Sequence, residues 1–422
     1  MDDVTTLRAR MAARHPVQEI TVRTDTREIL ANAKRLNLDD YLVVDMDAHH
    51  IELDSWSEVL DHIEDPVLRY NGKAMAKNWP YAANVALSNH PPGMTMQDVS
   101  GRIPHQAGLR EPVEPAANGE PRDLTLIRRA MDTMGIDIQI VFPQPMLEVG
   151  LHPSRQIETQ LIMAYNDWFT ERVLPGEPRI KTMLALPFSD PKACLRTIRT
   201  HAEKPGVVGF LVTSQRQAHV YDAAYMPVYR ELEERGLPLG FHAGPDYGTA
   251  AALNRFLSVH ALSFVTCNMI HLTNWVINGL PERFPRLKVL WIESGLAWLP
   301  FMMQRLDHEF LMRQSDAPLL KRLPSDYMRE MFYTSQPMET TNLRLLEATF
   351  EAIRADTQLL FSSDWPHWDF DTPGRLAGLP FIDERARRNI LGETANRIFD
   401  LEPERTPDLK GFRRHRAGVS AG

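Results

Sequence analysis

From residue 41 onward the chain alternates between short apolar runs rich in β-formers and longer segments of helical periodicity. The runs are YLVVDMD (41–47), IDIQIVF (136–142), IKTMLAL (180–186), VVGFLVT (207–213), LPLGFHA (237–243), LKVLWIE (287–293), MFYTSQ (331–336) and LLFSSDW (359–365). Most are nearly continuous in apolar residues rather than alternating, as expected for parallel strands covered on both faces. Between them ETQLIMAYNDWFTERVL, PKACLRTIRTHAE, MPVYRELEERG and TNLRLLEATFEAIR carry apolar residues at helical spacing. Each of the last three runs directly into the next strand. Eight strands joined by helical crossovers predict an α/β fold, a (β/α)8 TIM-like barrel. A doubly wound open sheet is the competing architecture.

Three segments fall outside this alternation. Residues 1–40 read as an N-terminal extension with one helix, TREILANAKRLN, and the barrel occupies 41–400. Its first crossover contains a long insertion, about 53–122, rich in Pro, Asn and Gly (SNHPPGMT, EPVEPAANGEPRD). Residues 401–422, with the basic cluster KGFRRHR, read as a mobile C-terminal tail.

Composition narrows the class. With 43% apolar residues in 422, the chain can bury a large core, yet no stretch is apolar for long enough to span a membrane. The start MDDVTTLRARMAARHP lacks the basic-then-apolar order of a secretory signal. Cys194 and Cys267 offer neither a disulfide framework nor a CxxC zinc site, so the expected location is cytoplasmic. A net charge of −8 argues against a nucleic-acid surface and leaves a small molecule as the expected partner.

Parallel strands bring their C-terminal ends to one rim, where barrel active sites occur. Strand one ends in DMDAHHIE, where Asp45, Asp47 and His49 are spaced by two and share a face, while His50 faces the other way. Strand five ends at His242, strand six at Glu293, and strand eight at Asp364 with His367 beyond it. Four strands thus deliver His or carboxylate to the same end. Glu52 and His367 could reach the site from loops or simply bond backbone, and His271 on a helix could face the pocket or the core. His90, His105 and His260 are weaker candidates. Trp365 and Trp368 are candidate pocket walls, and Arg102 and Arg110 in the insertion could meet a substrate carboxylate.

These strand ends resemble the amidohydrolase superfamily, in the amidohydrolase-related branch that includes aminocarboxymuconate semialdehyde decarboxylase. The resemblance rests on DMDAH at strand one, GLPLGFHAG at strand five, GLPERFPRLKVLWIESGLAWLP at strand six, LLFSSDWPH at strand eight and the close ILGETANRIFDL, and it spans roughly residues 41–400. It implies a divalent metal, Zn, Mn or Fe, held by Asp47, His49, His242 and Asp364. It also implies that Asp364 moves a proton, that Asp45 is a buried carboxylate orienting a ligand or strand, and that the chain forms homo-oligomers or pairs with a related subunit. Two departures stand out. Asp47 replaces the commoner first histidine, which favours the harder ions Mn or Fe, and Glu293 stands where many relatives place a histidine acid or base. Glu293 could be a general base or a ligand to a second metal.

The resulting expectation is a metal-dependent hydrolase acting on a small molecule bearing a carboxylate or carbonyl, through a metal-bound hydroxide. Hydrolysis is preferred because Glu293 replaces the histidine on which decarboxylating relatives rely. The first alternative is non-oxidative decarboxylation of an aromatic or unsaturated acid. The second uses the carboxylate-rich site, with one metal per chain raised to two, for dinuclear Fe or Mn oxygenase chemistry. A non-catalytic partner subunit is the remaining reading.

Overall fold

The computed structural model describes residues 38, 40–50, 52–78, 120–215, 218–367 and 369–401. The expected helix at 26–37, most of the insertion, Arg102, Arg110, His90, His105, Trp368 and the C-terminal basic cluster lie outside the described residues.

Eight strands form one sheet in sequential order: β1 (Val44–His50), β2 (Ile138–Pro143), β3 (Ile180–Ala185), β4 (Val207–Val212), β5 (Leu239–His242), β6 (Val289–Ile292), β7 (Phe332–Thr334) and β8 (Leu359–Leu360). Every neighbouring pair is parallel. The chain ends of the sheet also meet. Met46 N–H donates to the Phe361 carbonyl at 2.9 Å, and Ala48 bridges Trp365 in parallel. A barrel, rather than an open sheet, is therefore the architecture.

β8 is shorter than the apolar run LLFSSDW implies, and the backbone beyond it shows why. Phe361 N–H donates to the Ile390 carbonyl, and Ser363 N–H donates to a carboxylate oxygen of Asp45 instead of to a strand. The main-chain groups are satisfied, but not as a ladder.

The principal helices on the outside are α1 (Arg122–Met134), α2 (Arg155–Trp168), α3 (Pro191–His201), α4 (Met226–Arg235), α5 (Phe264–Ile277), α6 (Trp298–Met312), α7 (Leu343–Ile353) and α8 (Thr394–Phe399). Local sequence sets their ends. Ser154, Asp190 and Asn342 cap α2, α3 and α7 by accepting backbone N–H groups of the first turn. α4 stops at Gly236, whose φ of 69° lies in the left-handed region that favours glycine.

Two apolar layers result. Outward-facing residues such as Val212, Phe241 and Trp291 pack under the helices, where Trp275 of α5 meets the Phe241 ring. Inward-facing Val44, Ile138, Ile140, Met183, Leu211, Leu290, Ile292 and Leu360 fill the lumen. The lumen cluster continues into Ile398, Phe399 and Leu401, with Val208 and Phe332 packed against it. Lys288 Nζ donates to the Ile398 carbonyl at 2.7 Å, fixing this stopper at the end opposite the site. Cys194 and Cys267 are buried free thiols. Among the described residues no helix is long and apolar enough to cross a membrane.

Candidate metal centre

The register of β1 against β2 shifts between Asp45 and Ala48, an irregularity that lets β1 present several polar side chains close together. Asp47 and His49 are fully buried at its end. His49 Nδ1 lies 3.1 Å from the Pro143 carbonyl oxygen, which can only accept, so Nδ1 carries the hydrogen and Nε2 faces the pocket. His242 repeats the device at the end of β5, with Nδ1 2.7 Å from the Ala243 carbonyl.

The two pocket-facing nitrogens meet three carboxylates. His49 Nε2 is 3.2 Å from Asp47 Oδ1 and 3.0 Å from Asp364 Oδ1. His242 Nε2 is 3.3 Å from Asp47 Oδ1 and 3.5 Å from Glu293 Oε2. His367 completes the group, with Nδ1 2.6 Å from Asp364 Oδ1 and Nε2 against Gln144 Oε1. Glu293 and Asp364 both sit at turns with left-handed backbone, φ 56° and 59°. Such conformations cost about 1–3 kcal/mol each for non-glycine residues and concentrate at functional sites. Glu293 N–H donates to Thr334 Oγ1 and Asp364 N–H to the Asp47 carbonyl, which hold the two turns.

Electrostatics in the cluster call for positive charge. Burial pushes the Glu293 carboxyl well above its ordinary value, and neighbouring Asp364 and Asp47 push it further. Asp364 rises to about 6, chiefly through burial. Burial would raise Asp47 too, but His242 and His49 pull it below the usual carboxylate range. For His49, burial is outweighed by Asp364 and Asp47, which hold the imidazole well above its normal pKa. His367 goes the other way, pushed well down mainly by burial.

The residues fit a metal. Asp47 Oδ2, His49 Nε2 and Asp364 Oδ1 are buried and have no hydrogen-bond partner, an expensive state for polar atoms unless a cation meets them. Ligand-type atoms of Asp47, His49, His242 and Glu293 lie within 4.8 Å of one another, as do those of His49, Glu293, Asp364 and His367. Mixed imidazole and carboxylate donors suit a divalent transition ion.

Asp45 has the orienting position expected of it. Its carboxylate accepts from Ser363 N–H (2.7 Å), Ser363 Oγ (2.6 Å), Gln139 Nε2 (2.8 Å) and Asp47 N–H (3.2 Å), and burial raises it to about 7. His50 points away into an aromatic nest, its Nε2 2.6 Å from Tyr165 Oη.

Two further candidates are corrected by the structure. Glu52 lies outside the cluster: its oxygens accept Gln144 N–H and Met146 N–H, each at 3.0 Å, and so anchor the loop after β2. His271 packs outside the barrel wall on the Phe241 ring, 5.5 Å between centroids, and not into the lumen. His260 lies 3.9 Å from Asp369. Trp365 is buried beside the β1 bridge.

Sequence reasoning missed Gln144, which orients His367, and Asn268, whose amide donates to the carbonyls of Phe241 and Ile292 and ties the ends of β5 and β6 together. It also missed Asp369, half-buried and raised to about 6 by desolvation, whose electrostatic influence extends to Glu293. The clustered WDF after the strand-eight aspartate was the available signal for Asp369; the two amides had none.

The family profile described as amidohydrolase matches residues 45–401. The chain belongs to the amidohydrolase family. Among similar sequences, the gamma-resorcylate decarboxylases of Polaromonas sp. strain JS666 and Rhizobium sp. strain MTP-10005 are each 27% identical, over 65% of this chain and 86% of their own length. Among solved structures, 5-carboxyvanillate decarboxylase from Sphingomonas paucimobilis superposes with a TM-score of 0.62 at 21% identity, covering 85% of this chain and all but 1% of its own, that is 99%. Dihydroxybenzoic acid decarboxylase from Polaromonas sp. JS666, solved with bound manganese and the inhibitor 2-nitroresorcinol, gives 0.59 at 20% identity, covering 87% and 99%. This amidohydrolase is an enzyme whose relatives include decarboxylases of aromatic acids. These similarities favour the carboxy-lyase alternative over the expectation of hydrolysis.

Proposed function

We propose that this amidohydrolase is a metal-dependent, non-oxidative decarboxylase of a small aromatic acid. The observation that carries the reading is the buried His and carboxylate cluster at the C-terminal rim, in a chain that matches aromatic-acid decarboxylases over 86% of their length. Asp47, His49, His242 and Asp364 would hold the metal, with Glu293 beside them. A divalent ion there would supply positive charge to hold the substrate carboxylate.

The remaining work belongs to the chain. Asp364 would move the proton, with His367 Nδ1 2.6 Å from its Oδ1. The proton goes to the ring carbon bearing the carboxylate. The bond to the carboxyl carbon then breaks, its electron pair returns to the ring, and CO2 leaves. A histidine at position 293 is not required on this route. Burial of all six side chains keeps bulk water from competing.

The test is incubation of manganese-loaded protein with 2,6-dihydroxybenzoate and 5-carboxyvanillate, without oxygen, in D2O. The expected products are CO2 and an arene with one deuterium at the former carboxyl position. Asp364→Asn should lower kcat by about 100-fold or more, with metal content measured alongside. Turnover of an ester or amide with no CO2 release from either acid would overturn the reading.

A further inference from the structure

We infer that Gln336 and Asp369 form a specificity subsite at the mouth of the pocket. It takes a hydrogen-bond donor, an amino or hydroxyl group, on the part of the substrate ring remote from the reacting carboxylate. The inference deepens the decarboxylase reading and rests on it for the aromatic acid.

The alternation along β7 aims Gln336 inward. Phe332 packs on the lumen cluster, Tyr333 joins the outer layer, and Thr334 Oγ1 accepts Glu293 N–H at the pocket, so the residue two further on returns to the pocket side. Ser362 Oγ accepts Gln336 N–H at 2.9 Å and fixes its backbone. The Gln336 side chain is fully buried. Its amide lies 3.3 Å from the Asp369 carbonyl oxygen, and a carbonyl only accepts, so the amide nitrogen is the atom on that side. Oε1 is left buried with no hydrogen-bond partner.

Asp369 supplies the second acceptor. It follows Asp364 in the chain beyond β8, and its charge is felt by Glu293 as that of Asp364 is felt by it, which puts it on the pocket side of the rim. Its Oδ2 lies 3.9 Å from Nε2 of His260, in the turn Val259–Ser263 that leads into α5. Its Oδ1 is buried and has no hydrogen-bond partner. The His260 and Asp369 side chains are 22% and 21% exposed, so this pair stands at the mouth with Gln336 beneath it. Among the described residues no Lys or Arg forms an ion pair with Asp369.

Two oxygens that can only accept thus stand side by side unserved. One amide and one carboxylate are too few donors for a metal shell, and Asp369 belongs to neither of the ligand clusters. A single donor group serves them better. An aromatic amine has two N–H groups, one for each oxygen, and a hydroxyl has one. A methoxy group would set oxygen against oxygen, and a bare ring hydrogen would leave both acceptors buried and unpaired. A site built this way discriminates chiefly by refusing the analogue that lacks the donor. The subsite therefore selects which acid enters, while the metal centre acts on the carboxylate.

The experiment reads binding and needs no turnover. Manganese-loaded protein is titrated calorimetrically with benzoate and with its 3- and 4-amino, hydroxy and methoxy derivatives. At one ring position at least, the amino and hydroxy acids should bind about 10- to 100-fold more tightly than the methoxy acid and benzoate. Asp369→Leu should bring the four acids level, and Gln336→Met should narrow the gap, with manganese content and melting temperature measured for each variant. Wild-type protein that binds donor and methoxy acids equally at both positions would overturn the inference. So would either folded variant keeping the full preference. Donor-selective binding without CO2 release from any acid would sink the decarboxylase reading and leave the subsite standing; CO2 release without donor selectivity would do the reverse, and binding of none of the acids would sink both.

Discussion

Asp45 offers no ligand atom to the cluster, yet it gathers four donors from β1, β2 and the turn after β8. By holding Ser363 it sets where Asp364 begins. Asp45→Asn replaces one acceptor oxygen by an amide that must face Gln139 or Ser363 as a second donor. Manganese affinity should fall about 10- to 100-fold while the circular dichroism spectrum stays that of the wild type; unchanged affinity would remove Asp45 from any orienting role. At this scale the sequence was readable where function coincides with the end of an apolar run. Asp47, His49, His242, Glu293 and Asp364 stand at strand ends, and a period of two separates His49 from His50. Glu52 could not be placed so, because a carboxylate that bonds loop backbone leaves no periodic mark. Gln144 was hidden for the same reason: nothing in FPQP says that its amide meets His367.

Among the elements, α5 shows how a titratable group can be structural. His271 lies on the Phe241 ring beneath the helix, and burial depresses its pKa to about 4, with His219 adding to the effect and Asp246 opposing it. The folded state thus keeps a neutral imidazole where the unfolded chain binds a proton at about 6.5. Its contribution is intact above pH 6.5 and is lost as pH falls toward 4, by about 3 kcal/mol at the limit. His271→Phe should flatten the dependence of urea midpoints between pH 7 and pH 5, while equal slopes in both proteins would refute the assignment. Strand prediction worked at this scale because both faces of each strand are covered, giving continuous apolar runs. It overran at β8, where Asp45 and Ile390 take hydrogen bonds that a ladder would have used. Helix α5 was less informative to sequence, since Phe264–Ile277 is apolar nearly all round and gives no single buried face.

Across the whole molecule, the site spans the rim from β5 and β6 to the line where the first and last strands meet. Asp47 and His49 come from β1 and Asp364 follows β8, so donors roughly 300 residues apart in sequence converge across that line. The seam is sewn by Met46 N–H to Phe361, Asp364 N–H to Asp47 and the Asp45–Ser363 pair. An ion held by both sides acts as a clasp on a hoop. Opening the hoop at this point would break its coordination, and losing the ion would remove the clasp. Bound only by the closed form, at a free concentration a hundredfold above its Kd, it stabilises by about 2.7 kcal/mol. Chelator should therefore lower Tm, and hydrogen exchange should rise first along β1 and β8 and last at β4 on the far side; a uniform rise would mean that ion and closure are independent. On this view the centre is a fastener as much as a reagent, and the enzyme would carry its chemistry on the one joint that completes its shape.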